Sequence, residues 1–274
     1  GNVKTSDNKG YTCQRYYYDQ NYRDVYYSIP QSLVKVTLTL DKTVQNYAFQ
    51  NCDLIEVITL PDGVTTIGNY AFHNCSALKS LDGKMDGVLN VPESVTTLGS
   101  NAFANCTDLT ELNVNVTGAI GSSAFYGCTS AAAITIGDSV TSIGGSAFYG
   151  CTSAATITIG DSITSIGGSA FQNTPITKII IPDSVTSIGS GAFKGCDSLE
   201  EMTIPFVGVA ANSDDYPFGY IFGADSSNLQ DVYVPQTLLK VTVTDAGFIS
   251  LILPISPLYT PYPSSPDCFF HFKS

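Results

Sequence analysis

The chain has 274 residues, of which 43% are hydrophobic and 13% charged, with a formal net charge of −12. Sparse charge with ordinary apolar content excludes a disordered polymer, and the acidity argues against nucleic acid or anionic lipid as partner, since both call for clustered Lys and Arg. No apolar run approaches the roughly 20 residues of a membrane-spanning helix, so membrane insertion is not expected, and Gly1 with its polar followers reads as a mature or trimmed start without a signal peptide.

Residues 1–28 carry no repeat and are crowded with Tyr11, Tyr16, Tyr17, Tyr18, Tyr22, Tyr26 and Tyr27. They read as a cap or edge strand whose rings cover the first coil of a stacked array, in preference to an aromatic ligand platform. From Ile29-Pro30 a phrase begins to recur. It is clearest between Ile134 and Phe171, where ITIGDSVTSIGGSAF is succeeded 23 residues later by ITIGDSITSIGGSAF. A fixed period in this range marks a stacked repeat architecture. Phe49, Phe72, Phe103, Phe125, Phe148, Phe171 and Phe193 fall near the close of successive coils, at spacings of 23, 31, 22, 23, 23 and 22. The long interval places an insertion of about eight residues near Asp82–Leu89.

Each unit has a physical logic. In Ile-Thr-Ile the two Ile point one way and Thr the other, the period of a strand. Pro-Asp-Ser or Gly-Asp-Ser supplies a turn, Val-x-x-Ile-Gly a second short extended piece, and Gly a tight corner. Ala-Phe then turns the chain back with Phe inside. No unit buries its Phe, Ile and Val alone, so stacking unites them into one core.

Cys52, Cys75, Cys106, Cys128, Cys151 and Cys196 share one repeat position. Equivalent Cβ vectors in coils about 4.8 Å apart run side by side, whereas a disulfide needs converging geometry. The six read as buried reduced thiols serving as small hydrophobes. Cys13 and Cys268 fall outside the column and would pair only if the chain ends met.

After Pro205 the pattern loosens through an excursion near residues 206–228. Val234–Thr244 then echoes Ile29–Thr39 at an offset of 205, so the solenoid is expected over 29–250. Residues 251–274, with four prolines between Pro257 and Pro266, read as an irregular wrap over the last coil, because proline lacks the ladder donor.

The phrase Leu-x-x-Ile-x-Ile-Pro-x-x-Val-x-x-Ile-Gly-x-x-Ala-Phe-x-x-Cys resembles the leucine-rich repeat of BspA-like bacterial surface proteins, the Treponema-pallidum type, over roughly residues 29–204. Phe206–Gly223 resembles a module inserted in such proteins. The resemblance implies a right-handed leucine-rich-repeat solenoid, mainly β with short parallel strands and turns and little helix. It also implies a secreted or cell-surface protein that binds or adheres to host or neighbouring-cell molecules. It carries over no catalytic residues.

Chemistry-bearing motifs are otherwise scarce. His73 and His271 are the only histidines, and His73 occupies a variable place that reads as surface. No nucleophile elbow, phosphate loop or His-Glu-x-x-His is present, so no catalytic residue, cofactor or metal is expected. Asp62, Glu93, Asp138, Asp161 and Asp183 form a column after Pro or Gly. Calcium would bridge such carboxylates, but the favoured reading is that each caps its own turn.

The expected working surface is the strand face opposite the Ile pairs, carrying Val57, Thr59, Glu111, Asn113, Ala133, Thr135, Thr156, Thr158, Lys178, Ile180, Glu201 and Thr203. Thr59, Asn113, Thr135, Thr158, Lys178, Ile180 and Thr203 are the candidate contacts. Small side chains make it flat, suited to a protein or an extended glycan, with the chain itself a monomer; equally, Thr simply favours strands. A structural spacer in a longer surface protein is the competing reading. The two separate on whether residues that differ between coils cluster on this face.

Overall fold

The computed structural model describes residues 11–18, 24–30, 33–39, 42–206, 218–224, 233–244 and 249–252. Tyr11–Tyr18 and Asp24–Pro30 form an antiparallel pair. Their side chains lie outside the described residues, so the cap reading is untouched, and Cys268 and His271 lie outside as well.

Between Lys35 and Val243 the described residues form a parallel β-solenoid with almost no helix. Each coil as far as Ile188 contributes one strand to each of two faces, and the last two contribute to the working face alone among the described residues. The working face holds Lys35–Thr37, Val57–Thr59, Val88–Val91, Glu111–Val114, Ala133–Ile136, Thr156–Ile159, Lys178–Ile180, Glu201–Ile204 and Lys240–Val243. The second face is one unbroken sheet of seven short strands, from Thr43–Val44 to Ser187–Ile188. Ile249–Ile252 returns antiparallel on Lys240–Val243 and pairs the last edge there. Leu251 and Ile252 are therefore in a strand, and residues 253–274 lie outside the described residues.

Between the faces runs a continuous core from Val44 to Val243. Phe72, Phe103, Phe125, Phe148, Phe171 and Phe193 are fully buried and stacked ring on ring. Centroids are 5.0–5.6 Å apart and rings within 17° of parallel from Phe49 to Phe193. The column does not stop there. Phe218–Phe222 is a 3-10 turn that takes the next corner: Phe193 N–H donates to the Ile221 carbonyl as Phe171 N–H donates to that of Ala192. Ile221-Phe222 thus stands in the Ala-Phe place. Its bulkier Ile accompanies a Phe222 ring tilted 50° to Phe193.

The thiol column is buried and unbridged. Beyond filling space, each thiol after Cys52 reaches a carbonyl of the coil before. Cys75, Cys106, Cys128, Cys151 and Cys196 donate S–H to the carbonyls of Phe49, Phe72, Phe103, Phe125 and Phe171 at 2.9–3.4 Å. Thr174 substitutes for Cys with a hydroxyl that donates to Phe171 O at 2.9 Å.

The recurring corner glycine has a different reason from the one expected. Gly167 does not need a positive φ; a Cβ there would sit 2.4 Å from the Gly145 backbone nitrogen of the coil below. Close approach of stacked backbones excludes a side chain. The left-handed conformation falls instead on the residue before Ala-Phe, as at Ser146 and Ser169, with φ of 55° and 56°.

Candidate binding face

Two outward rows run along the working face. Pairing places Val88, Glu111, Ala133 and Thr156 in one, and Asn90, Asn113, Thr135 and Thr158 in the other. Beyond them the rows continue as Lys178, Glu201, Lys240 and Ile180, Thr203, Thr242. Thr135, Thr158, Lys178 and Ile180 are exposed, and Thr59, Asn113 and Thr203 half-buried. Neighbours tie some of these down. Asn113 Nδ2 donates to Asn90 Oδ1 at 3.1 Å and to Glu111 Oε1 at 3.0 Å. Lys178 Nζ lies 3.2 Å from Glu201 Oε2. Ile180 is 57% exposed, more than any other large hydrophobic among the described residues.

Val57 corrects the expectation. It lies on the outward row yet is only 2% exposed. Ser80 bridges to it and Asp82 to Thr59, and a Cβ at Gly83 would lie 3.1 Å from Thr59 Oγ1, so the inserted loop folds back over this coil. The ladder also locates the insertion. Lys79 N–H donates to Glu56 O while Thr110 N–H donates to Gly87 O, so Lys79 and Gly87 hold equivalent places and the eight extra residues are 80–87. Leu89 is a buried strand residue opposite Leu112.

The face has a second boundary. Thr156–Ile159 ends one sheet and Lys178–Ile180 begins another, with no ladder between them. Coil by coil, a buried residue just ahead of the strand lies three residues after Cys, as in Cys128-Thr-Ser-Ala131, Cys151-Thr-Ser-Ala154 and Cys196-Asp-Ser-Leu199. In Thr174-Pro175-Ile176 one residue is missing, and the proline has no N–H. The shortened turn accompanies a ladder that fails on this face. The opposite sheet stays paired, Ser165 with Ser187 and Ile166 with Ile188. Over the gap lies a shallow depression of about 380 Å³ lined by Thr156, Thr158, Lys178, Ile180, Asp161 and Pro182 among others. Sequence reasoning missed it, although the 22-residue spacing from Phe171 to Phe193 was its trace.

The remaining candidates are quieter. Asp138 Oδ1 accepts from the Asp161 N–H of the next coil at 3.2 Å, so this acid caps its neighbour's turn instead of its own. Among the described residues, no three His, Cys, Asp or Glu side chains group as a metal site would require. His73 is not a free surface group: it packs edge-on to Tyr70 at 5.4 Å, and burial lowers its pKa.

The BspA type leucine rich repeat region matches this chain in six copies, over residues 42–117, 84–200 and 118–243. The chain belongs to the BspA-type leucine-rich-repeat family. A leucine rich cell surface protein from Faecalibacterium prausnitzii is similar at 26% identity and a TM-score of 0.54, over 79% of this chain and 56% of that one. A leucine-rich repeat protein from Bacteroides ovatus is similar at 27% identity and TM-score 0.48, over 62% and 49% of the two chains. The T. pallidum leucine rich repeat protein is similar at 24% identity and TM-score 0.38, over 74% and 72%. This BspA-type chain therefore spans about half the length of the first two. No curated protein matches it. No helix among the described residues is long and apolar enough to cross a membrane.

Proposed function

We propose that this BspA-type chain is a non-catalytic binding segment of an extracellular or cell-surface protein. It engages a protein or extended glycan of a host or neighbouring cell through its working face. One contrast supports this reading over a plain spacer. The outward rows of the second face are nearly uniform: Thr43, Thr66, Thr97, Ala119, Ser142, Ser165 and Ser187 in one, mostly Thr in the other. Those Thr hydroxyls bond the carbonyls of the preceding coil, as Thr164 does to Thr141 and Thr186 to Thr164. The first outward row of the working face instead changes from coil to coil, through Val88, Glu111, Ala133, Thr156, Lys178 and Glu201, while its second row, mostly Thr, is interrupted by Asn90, Asn113 and Ile180. A structural ladder repeats its side chains; a recognition surface varies them. The cell-surface relative supports the location.

Extracellular-matrix proteins and a glycan array should capture the chain. Thr135→Lys with Ile180→Asp should lower capture at least about tenfold, as loss of a central contact does. Thr141→Glu, exposed on the second face, should leave it unchanged. Equal capture by both variants would remove the face from consideration. Deleting residues 80–87 rejoins Lys79 to Val88 in register. It should leave the melting curve within a few degrees, about the shift of a sub-kcal/mol change. Collapse of the melt would make the loop structural.

A further inference from the structure

We propose that the gap between Thr156–Ile159 and Lys178–Ile180 is a docking slot for one extended polypeptide strand, supplied by the binding partner. The slot lies on the working face and rests on the reading of that face as the binding surface.

In this solenoid the backbone of inward residues faces the next coil and that of outward residues the previous one. Ile58 N–H donates forward to Ser80 O, and Val57 N–H donates back to Val34 O. By the same rule Ile157 and Ile159 direct N–H and C=O into the gap from one side, and Lys178 and Ile180 from the other. No ladder joins them. The contacts that other coils make here, such as Ala155 N–H to Ala132 O and Glu200 N–H to Thr177 O, have no counterpart between Thr177 and Ala155. Unpaired parallel edges alternate donor and acceptor at the strand repeat, and another extended main chain matches that alternation along its whole length.

The side chains define the guest further. Ile157 and Ile159 are 7% and 8% exposed, whereas Ile134, Ile136, Ile179 and Ile181 at the same places are at 1%. The gap therefore opens onto core. A guest residue pointing inward meets Ile157, Ile159 and Pro182; the next, pointing outward, lies between Thr158 and Ile180. An alternating sequence with β-branched residues on the inward side fits, which is the pattern of the coils themselves.

Room comes from a hinge. The two strands still approach within 8 Å at some Cα pairs. A strand between them needs about 9.6 Å, two inter-strand steps, so the slot must widen by at least roughly 2 Å. The second face stays hydrogen-bonded across this junction and Phe171 still stacks on Phe193, at 17° where Phe148 and Phe171 stand at 3°. Opening is then a small rotation about the second sheet, tilting the coils from Lys178 onward as a block.

The test is amide hydrogen exchange on the whole chain, with and without the peptide Ala-Ala-Thr-Ile-Thr-Ile-Gly, a copy of residues 154–160. Free, the amides of Ile157, Ile159, Lys178 and Ile180 should exchange at least about tenfold faster than those of Ile134 and Ile136, since opening is local. The peptide should slow those four at least about tenfold, and the same peptide N-methylated at alternate residues should not. Replacing Thr174-Pro175 with Cys-Thr-Ser restores the common turn; it should close the gap, protect the four amides and abolish peptide binding. If that variant does not fold, the methylated peptide still decides. Amides protected without peptide, equal effects of both peptides, or protection by cellohexaose alone would each overturn the slot. Peptide docking without capture of matrix protein or glycan would sink the adhesive role and leave the slot. Capture lost in the Thr135→Lys, Ile180→Asp double variant, with no peptide effect, would do the reverse.

Discussion

Phe148→Ala should destabilise the array by about 3–5 kcal/mol, the usual cost of emptying a fully buried Phe site. The ring is wholly buried, stacked at 5.2 Å on Phe125 and 5.6 Å on Phe171. Neither neighbour can move into the space, because each is held by its own coil's ladder on the continuous second face. Repeat stability is close to a sum of coil and interface terms, so the loss falls on two interfaces at once and the coils around residue 148 should fray locally. Urea unfolding gives the size, and hydrogen exchange the place. Phe222→Ala should cost less, since Phe222 meets Phe193 at 6.4 Å and a 50° tilt, outside the parallel stack. A loss under about 1 kcal/mol at position 148 would contradict an internal ring.

What was legible in the sequence came from what one coil demands of itself. Phe148, Ile143 and Val140 recur because every coil needs the same inward residues, and period alone exposes them. What depends on the coil below was not legible. Gly167 reads as a corner residue in isolation, yet its constraint is the backbone of Gly145 in the preceding coil. Cys151 reads as a small hydrophobe, and its S–H donation to Phe125 O is invisible without the stack. Ile221-Phe222 was missed because the excursion breaks the period and Ile replaces Ala, although the corner hydrogen bond is retained. On the binding face, alternation correctly put Thr135, Thr158 and Ile180 outside but also Val57, which a loop from elsewhere in the chain covers. The missing residue beside Pro175 was countable; that it breaks the ladder on one face and spares it on the other is a property of two stacked coils.

The thiol column makes stability depend on alkaline pH. Burial pushes Cys151 up to about 12 and Cys196 to about 11, and holds Cys106 and Cys128 well above the usual thiol range. In the unfolded chain the same thiols ionise near pH ~8.5. Below that pH both states keep the proton, and the thiols contribute in full. Above it the unfolded chain binds fewer protons than the folded one, so stability falls as pH rises toward 11 and 12. At about 1.4 kcal/mol per unit, Cys151 and Cys196 should each cost about 3 kcal/mol by pH 11. Urea midpoints at pH 8, 9.5 and 11 should therefore drop steeply for the native sequence. The Cys151→Ala, Cys196→Ala double variant should start lower and fall less; ionising Lys and Tyr are common to both proteins and cancel in the difference. Iodoacetamide at pH 8 should leave the buried thiols unmodified until urea is added. Parallel decline of the two proteins, or ready alkylation of the native one, would show that water reaches the column.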